Sequence, residues 1–284
     1  MSISSNNPLA KHFRQPSMFI KLPSNGKYWR EGSIELTATG ELPIYPMTTK
    51  DEIILRTPDA LANGTSVVQV IESCCPNIKD AWAMPSVDVD ALLLAIRIAS
   101  YGPTMTISSK CPKCGEENDY DLNLGGIVSS IQMPNYTKTV QTHDGLTIKL
   151  KPMDYANVSK SGVINLEEQK LIEALSNPDL DEDLRKAEYD KHVQKMIDLN
   201  INNVVACTES IVADGQTVVN PNFIREYYAN ADSSVMKSIR DAITEFGDIA
   251  GIRPQHAACN SCSHEFDLDV EFDYSSFFGK GFWF

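Results

Sequence analysis

Two C-x-x-C pairs constrain this chain more than any other feature in it. Residues 111–124 read CPKCGEENDYDLNL and residues 259–272 read CNSCSHEFDLDVEF. Aligned on the first cysteine, Glu117 matches Glu265, Asp119 matches Asp267 and Asp121 matches Asp269. Tyr120, Leu122 and Leu124 fall opposite Leu268, Val270 and Phe272. Each unit therefore reads as a knuckle leading into a strand, with apolar residues on one face and carboxylates on the other. A C-x-x-C turn presents two thiolates from one tight loop, and two such turns facing each other complete a tetrahedral four-sulfur shell. Cys111, Cys114, Cys259 and Cys262 are the expected ligands of one structural zinc ion, which leaves no coordination position for water or substrate. His256 and His264 flank the second pair and are expected to stand outside a shell that four thiolates already fill. The metal would staple the two units across a 145-residue separation, so its binding energy becomes folding energy.

A redox dithiol is the alternative reading of one C-x-x-C, but such motifs usually open a helix, whereas both pairs here precede alternating strands. The chain has seven cysteines, an odd number that does not suit a secreted disulfide framework. Cys74, Cys75 and Cys207 sit among apolar neighbours and read as buried thiols packing like small hydrophobes.

Charge narrows the function classes. Lys plus Arg number 25 against 38 Asp plus Glu, a formal net charge of −13. That balance opposes nucleic-acid binding, which rests on cationic contacts to phosphate, and docking on anionic membranes. The apolar run Ala91–Ile96 falls far short of the ~20 residues that span a bilayer, and the polar N-terminal residues do not read as a signal peptide. A soluble intracellular protein without a membrane anchor is expected. No Walker loop, dinucleotide glycine fingerprint, G-x-S-x-G or H-E-x-x-H is present. None of the five histidines has an evident nucleophile partner, so no catalytic residues are assigned and no enzyme is expected.

The 284 residues suit one or two domains. Ile34–Thr37 and Leu42–Tyr45 flank Thr39-Gly40 as an expected hairpin. Thr48 or Thr49 caps a short helix through Arg56, with Asp51 and Glu52 in its first turn. A second helix is expected over Ser66–Ser73, and a third, apolar nearly all round and therefore buried, over Asp88–Ser100. Further on, His143-Asp144-Gly145 predicts a hairpin, Asn165 a helix cap, and the three- and four-residue steps from Tyr189 to Val205 a long helix starting near Asp181. Asn220-Pro221 and the residues near Ser233 open two more helices. The fold class expected is α+β. A flexible arm (1–17) precedes an N-terminal β-hairpin and helix region (18–125 with 257–284), which holds a zinc ribbon built from both chain ends. A β-hairpin plus helical domain (126–256) is inserted between the knuckles.

Two surface features remain. Glu265, Asp267, Asp269, Glu271 and Asp273 alternate along one strand face; that spacing spreads them instead of converging them, so a solvated or partner-facing acidic face is expected. Residues 274–284 carry six aromatics, which either tuck against the chain's own core or anchor it in a partner.

The order LPSNGKYW (22–29), LPIYPMTTKDEIILRTPDAL (42–61), VVQVIESC, DALLLAIRIASYGP (90–103) and CPKCG resembles the baseplate hub family of T-even-type contractile-tailed bacteriophages. The resemblance covers residues 18–125 and the second cysteine pair, and 126–256 reads as specific to this member. It implies a noncatalytic structural subunit or assembly factor of the tail hub, assembled in the host cytoplasm and placed in the virion baseplate. Its partners would be other baseplate and hub proteins and the tape measure. Zinc-ribbon nucleic-acid modules and dithiol redox chaperones are the alternatives from other classes.

Overall fold

In the computed structural model, residues 7–57, 64–175 and 182–270 are described. Within them lie strands β1 (Met18–Ile20) and β2 (Leu42–Ile44), helices α1 (Thr49–Leu55), α2 (Thr65–Cys74) and α3 (Ser86–Tyr101), and strands β3 (Thr104–Lys110) and β4 (Glu117–Asn123). There follow α4 (Leu124–Ser130), β5 (Thr139–Gln141), β6 (Thr147–Leu150), α5 (Tyr155–Leu175), α6 (Glu182–Ala206), β7 (Thr208–Ala213) and β8 (Gln216–Val218). The last elements are α7 (Pro221–Asn230), α8 (Ser233–Ala250), β9 (Gln255–Ala258) and β10 (Glu265–Leu268). The architecture is α+β.

Local chemistry sets several of these elements. Thr48 caps α1 and Asp51 returns the bond to the Thr48 backbone, forming a capping box. Asn220 caps α7 with Pro221 at the first helical position, and Asp232 accepts from the backbone N–H groups of Ser234 and Val235 at the start of α8. Helix α3 buries Val89, Ala91 and the unbroken run Leu92–Ile96, as an all-round apolar helix must. Each fully buried leucine or isoleucine there contributes roughly 1.5–3 kcal/mol of transfer free energy.

Around α3 gathers a core that includes Ile20, Leu42, Ile44, Ile71, Leu122, Leu124 and Leu268, so strands flanking both cysteine pairs pack into it. The antiparallel sheet β5-β6-β7-β8 and helices α7 and α8 enclose a second core around Ile148, Leu150, Ile211, Tyr228, Ile239 and Phe246. Arg14 ties the start of the described chain to the first core. Its guanidinium donates to the carbonyls of Pro46 at 2.6 Å and Ser73 at 2.7 Å, and meets Asp51 at 3.3 Å.

Two local expectations are corrected, and one pair of strands is new. Strand β2 pairs with β1, Met18 opposite Ile44, while Ile34 bridges Ile78; the 37–41 segment makes a turn without a ladder. Burial decides this, since Leu42 and Ile44 are fully covered in the core that Ile20 shares. Asn165 lies inside α5 and caps nothing; the helix starts ten residues earlier, where Asp154 accepts from the Asn157 backbone. Strands β7 and β8 were not expected, although Asp214-Gly215, both at positive φ, is the type I′ turn chemistry that joins them. Residues 271–284, including Glu271, Asp273 and the aromatic segment, lie outside the described residues.

Candidate metal centre

Each C-x-x-C pair closes the turn of an antiparallel hairpin. β3 and β4 carry Cys111 and Cys114 between them; β9 and β10 carry Cys259 and Cys262. The sequence repeat becomes a backbone repeat. The Cys111 N–H donates to Glu116 O and the Gly115 N–H to Cys111 O, both at 2.9 Å. The Cys259 N–H donates to His264 O and the Ser263 N–H to Cys259 O, again at 2.9 Å. The residue four positions after the first cysteine is left-handed in both loops, Gly115 at φ +74° and Ser263 at φ +56°. Glycine accepts that conformation freely, whereas serine bears a Cβ clash.

The two turns face each other. Cys111 Sγ lies 3.8 Å from Cys262 Sγ, and Cys114 Sγ lies 3.6 Å from Cys259 Sγ. All four sulfurs fall within 4.8 Å of one another. A disulfide needs about 2.05 Å, so these are not bridged pairs. A tetrahedron with metal–sulfur bonds of about 2.3 Å puts its sulfurs ~3.8 Å apart, close to the distances found. The four cysteines therefore suit a metal ion, and four donors close its shell.

Cys111 and Cys259 are buried, Cys262 is half-buried and Cys114 is exposed, so one edge of the cluster opens to solvent. The backbone N–H of Cys262, and then that of Ser261, aim at Cys259 and pull its thiol down to about 6, which favours the thiolate a metal needs. Asn118, buried on β4, reaches across to the opposite knuckle and donates its amide N–H to Cys259 Sγ at 3.5 Å. Sequence reasoning did not single out Asn118. Its repeat mate is Phe266, so the alignment of the two units breaks at this position. Phe266 packs edge-on against Tyr120 with ring centroids 5.9 Å apart, which locks the two hairpins together.

Neither His256 nor His264 belongs to the cluster. His256 faces Glu265 and Asp267 on the outer side of its hairpin, and His264 stacks on Phe266. The carboxylates point outward as the alternation predicts: Glu117, Asp119, Asp121, Glu265, Asp267 and Asp269 are all exposed. Thr106 and Ser108 donate to Asp121 and Asp119, each at 2.6 Å. Cys74, Cys75 and Cys207 are buried elsewhere, and burial pushes their thiols up to about 12, 11 and 11.

The family model for the T4 bacteriophage base plate protein matches residues 15–279. The chain belongs to that family. No curated protein and no solved structure matches it. In this baseplate protein the match runs through residues 126–256 as well. That segment is thus part of the family match, which corrects its reading as specific to one member. Both knuckles of the baseplate protein fall inside the match, and among the described residues no helix is long and apolar enough to cross a membrane.

Proposed function

We propose that this baseplate protein is a noncatalytic subunit of the central tail hub, stabilised by one structural zinc ion on Cys111, Cys114, Cys259 and Cys262. The carrying observation is the four-cysteine cluster, drawn from both hairpins, in a chain of the baseplate family. Zinc is the metal that a compact all-sulfur tetrahedron with no open position suits best, and its chemistry there is to hold the two knuckles together. The protein's own residues prepare that role: the Cys262 and Ser261 amides favour thiolate at Cys259, and Asn118 bonds the same sulfur from the opposite hairpin.

A chain of this kind acts through surfaces, and its partners are other baseplate and hub proteins, with the tape measure among them. The exposed carboxylates on β4 and β10 argue against a zinc-ribbon nucleic-acid module, which would present cations there. Assembly takes place in the host cytoplasm and the protein remains in the virion baseplate. Protein identification across purified mature tails and assembly intermediates tests this reading. A hub subunit is found in both. Presence in intermediates alone makes it an assembly factor. Absence from both, with normal tails when the protein is removed, overturns the baseplate role in this phage.

A further inference from the structure

At positions 118 and 120 the first knuckle unit departs from the second in one consistent way. Asn118 stands opposite Phe266 in the alignment and Tyr120 opposite Leu268, so two polar side chains take the place of two apolar ones. Both lie on the inward face of β4, where Asn118 and Leu122 are buried and Tyr120 between them is half-buried. Asn118 spends its polar group on Cys259 Sγ. Packing alone does not call for a hydroxyl at position 120, since the second unit meets the same need with Leu268, buried in the first core.

The Tyr120 hydroxyl is covered by protein and meets no hydrogen-bond partner among the described residues. Its ring is held in place: Ile107 lies opposite it on β3, and Phe266 of the other hairpin meets it edge-on. The side chain therefore has little freedom to turn out to water, and a buried donor left unpaired destabilises a fold. Burial, and then the sulfurs of Cys259 and Cys111 ahead of Cys114 and Cys262, hold its proton more firmly than in free tyrosine. The group thus stays a donor, within the field of the four cysteines. Four thiolates outweigh the charge of a divalent ion, and donors to the sulfurs offset that excess.

We propose that Tyr120 is a positioning residue of the metal centre, whose hydroxyl donates to the buried-side thiolates Cys259 and Cys111 in the loaded chain. The proposal rests on the zinc reading above. Asn118 and Tyr120 then serve the cluster from one strand, two residues apart, and the first hairpin steadies a ligand that belongs to the second. This accounts for the two polar departures from the repeat with one cause.

Zinc-loaded, full-length Tyr120→Phe compared with the natural chain tests this. Phenylalanine keeps the ring against Phe266, and circular dichroism checks that the fold is unchanged. Loss of an outer donor to a metal ligand costs roughly 10–100-fold in affinity, so chelator competition should show zinc held more weakly by about that factor. In the cobalt-loaded chains the sulfur-to-metal charge-transfer band should move to lower energy, because a thiolate that loses a hydrogen bond gives up charge more readily. An unchanged affinity and an unchanged band, with a higher thermal midpoint, overturn the proposal: the hydroxyl is then an unpaired group whose removal relieves the fold. A natural chain that binds no zinc overturns the zinc reading, and this proposal with it, and that result is read before any substitution is made.

Discussion

The indole N–H of Trp29 donates to the carboxylate of Asp88 at 2.8 Å, although 59 residues separate them. Asp88 lies on α3 with no solvent exposure, and Ser24 completes its shell through its backbone N–H at 2.8 Å and its hydroxyl. The LPSNGKYW string thus supplies two of its residues, Ser24 and Trp29, to one buried acid. Three donors satisfy a carboxylate that would otherwise be very costly to bury.

Trp29→Phe is expected to lower stability by roughly 1.5–3 kcal/mol, the range for a hydrogen bond to a charged group. Burial raises the Asp88 carboxyl above its ordinary 3.8. Just above that value the folded chain holds a proton that the unfolded chain has lost, so stability rises as pH falls through this window. Urea midpoints measured against pH should show that component in the natural chain and lose it in Asp88→Asn.

Metal analysis of protein purified without added metal should find one zinc per chain. Cys114→Ser or Cys262→Ser should release it and loosen both hairpins, with a loss of several kcal/mol, since structural zinc contributes on the order of 10 kcal/mol to folding. Two separate disulfides and no metal would falsify the ribbon reading.

The left-handed residue of each knuckle predicts an asymmetry. Gly115→Ala puts a Cβ at φ +74° and should destabilise by about 1–2 kcal/mol. Ser263→Gly relieves the same strain at φ +56° and should be neutral or slightly stabilising, because glycine's extra unfolded-state freedom offsets up to ~1 kcal/mol of the gain. Thermal midpoints of the metal-loaded proteins check both.

Between α5 and α6, Glu168 bonds Lys195 at 2.7 Å and the Nδ1 of His192. Lys195 first, then His192, holds the Glu168 carboxyl below its ordinary 4.5. A lowered carboxylate stabilises the fold above the unfolded value, and that contribution disappears as pH falls through the folded one. Helical circular dichroism followed down from pH 5 should show an acid-induced loss that is smaller in Glu168→Gln.

Much of this protein was legible because its signals are local. Thr48 with Asp51, Asn220 with Pro221 and His143-Asp144-Gly145 each act within a few residues of chain, and each produced the cap or turn expected. The clustering of the four cysteines was legible for a different reason: its two halves repeat, so each half identifies the other. Asn165 misled because a good cap residue is also tolerated inside a helix whose true start, at Asp154, lies further back.

The sequence by itself determined the apolar α3, the two knuckles and the outward carboxylates, since periodicity and turn chemistry are written into neighbouring residues. Only tertiary structure decided that β2 joins β1, that β6 pairs with β7 some 60 residues on, and that Asn118 meets the sulfur of Cys259. It also decided that Ser24, Trp29 and Asp88 share one site. A strand of three or four residues fits several partners equally well by propensity, and a buried polar group accepts whichever donors the packing brings to it. Long-range burial makes those choices, because covering Leu42, Ile44, Leu122 and Leu268 in one core leaves each strand a single place to lie.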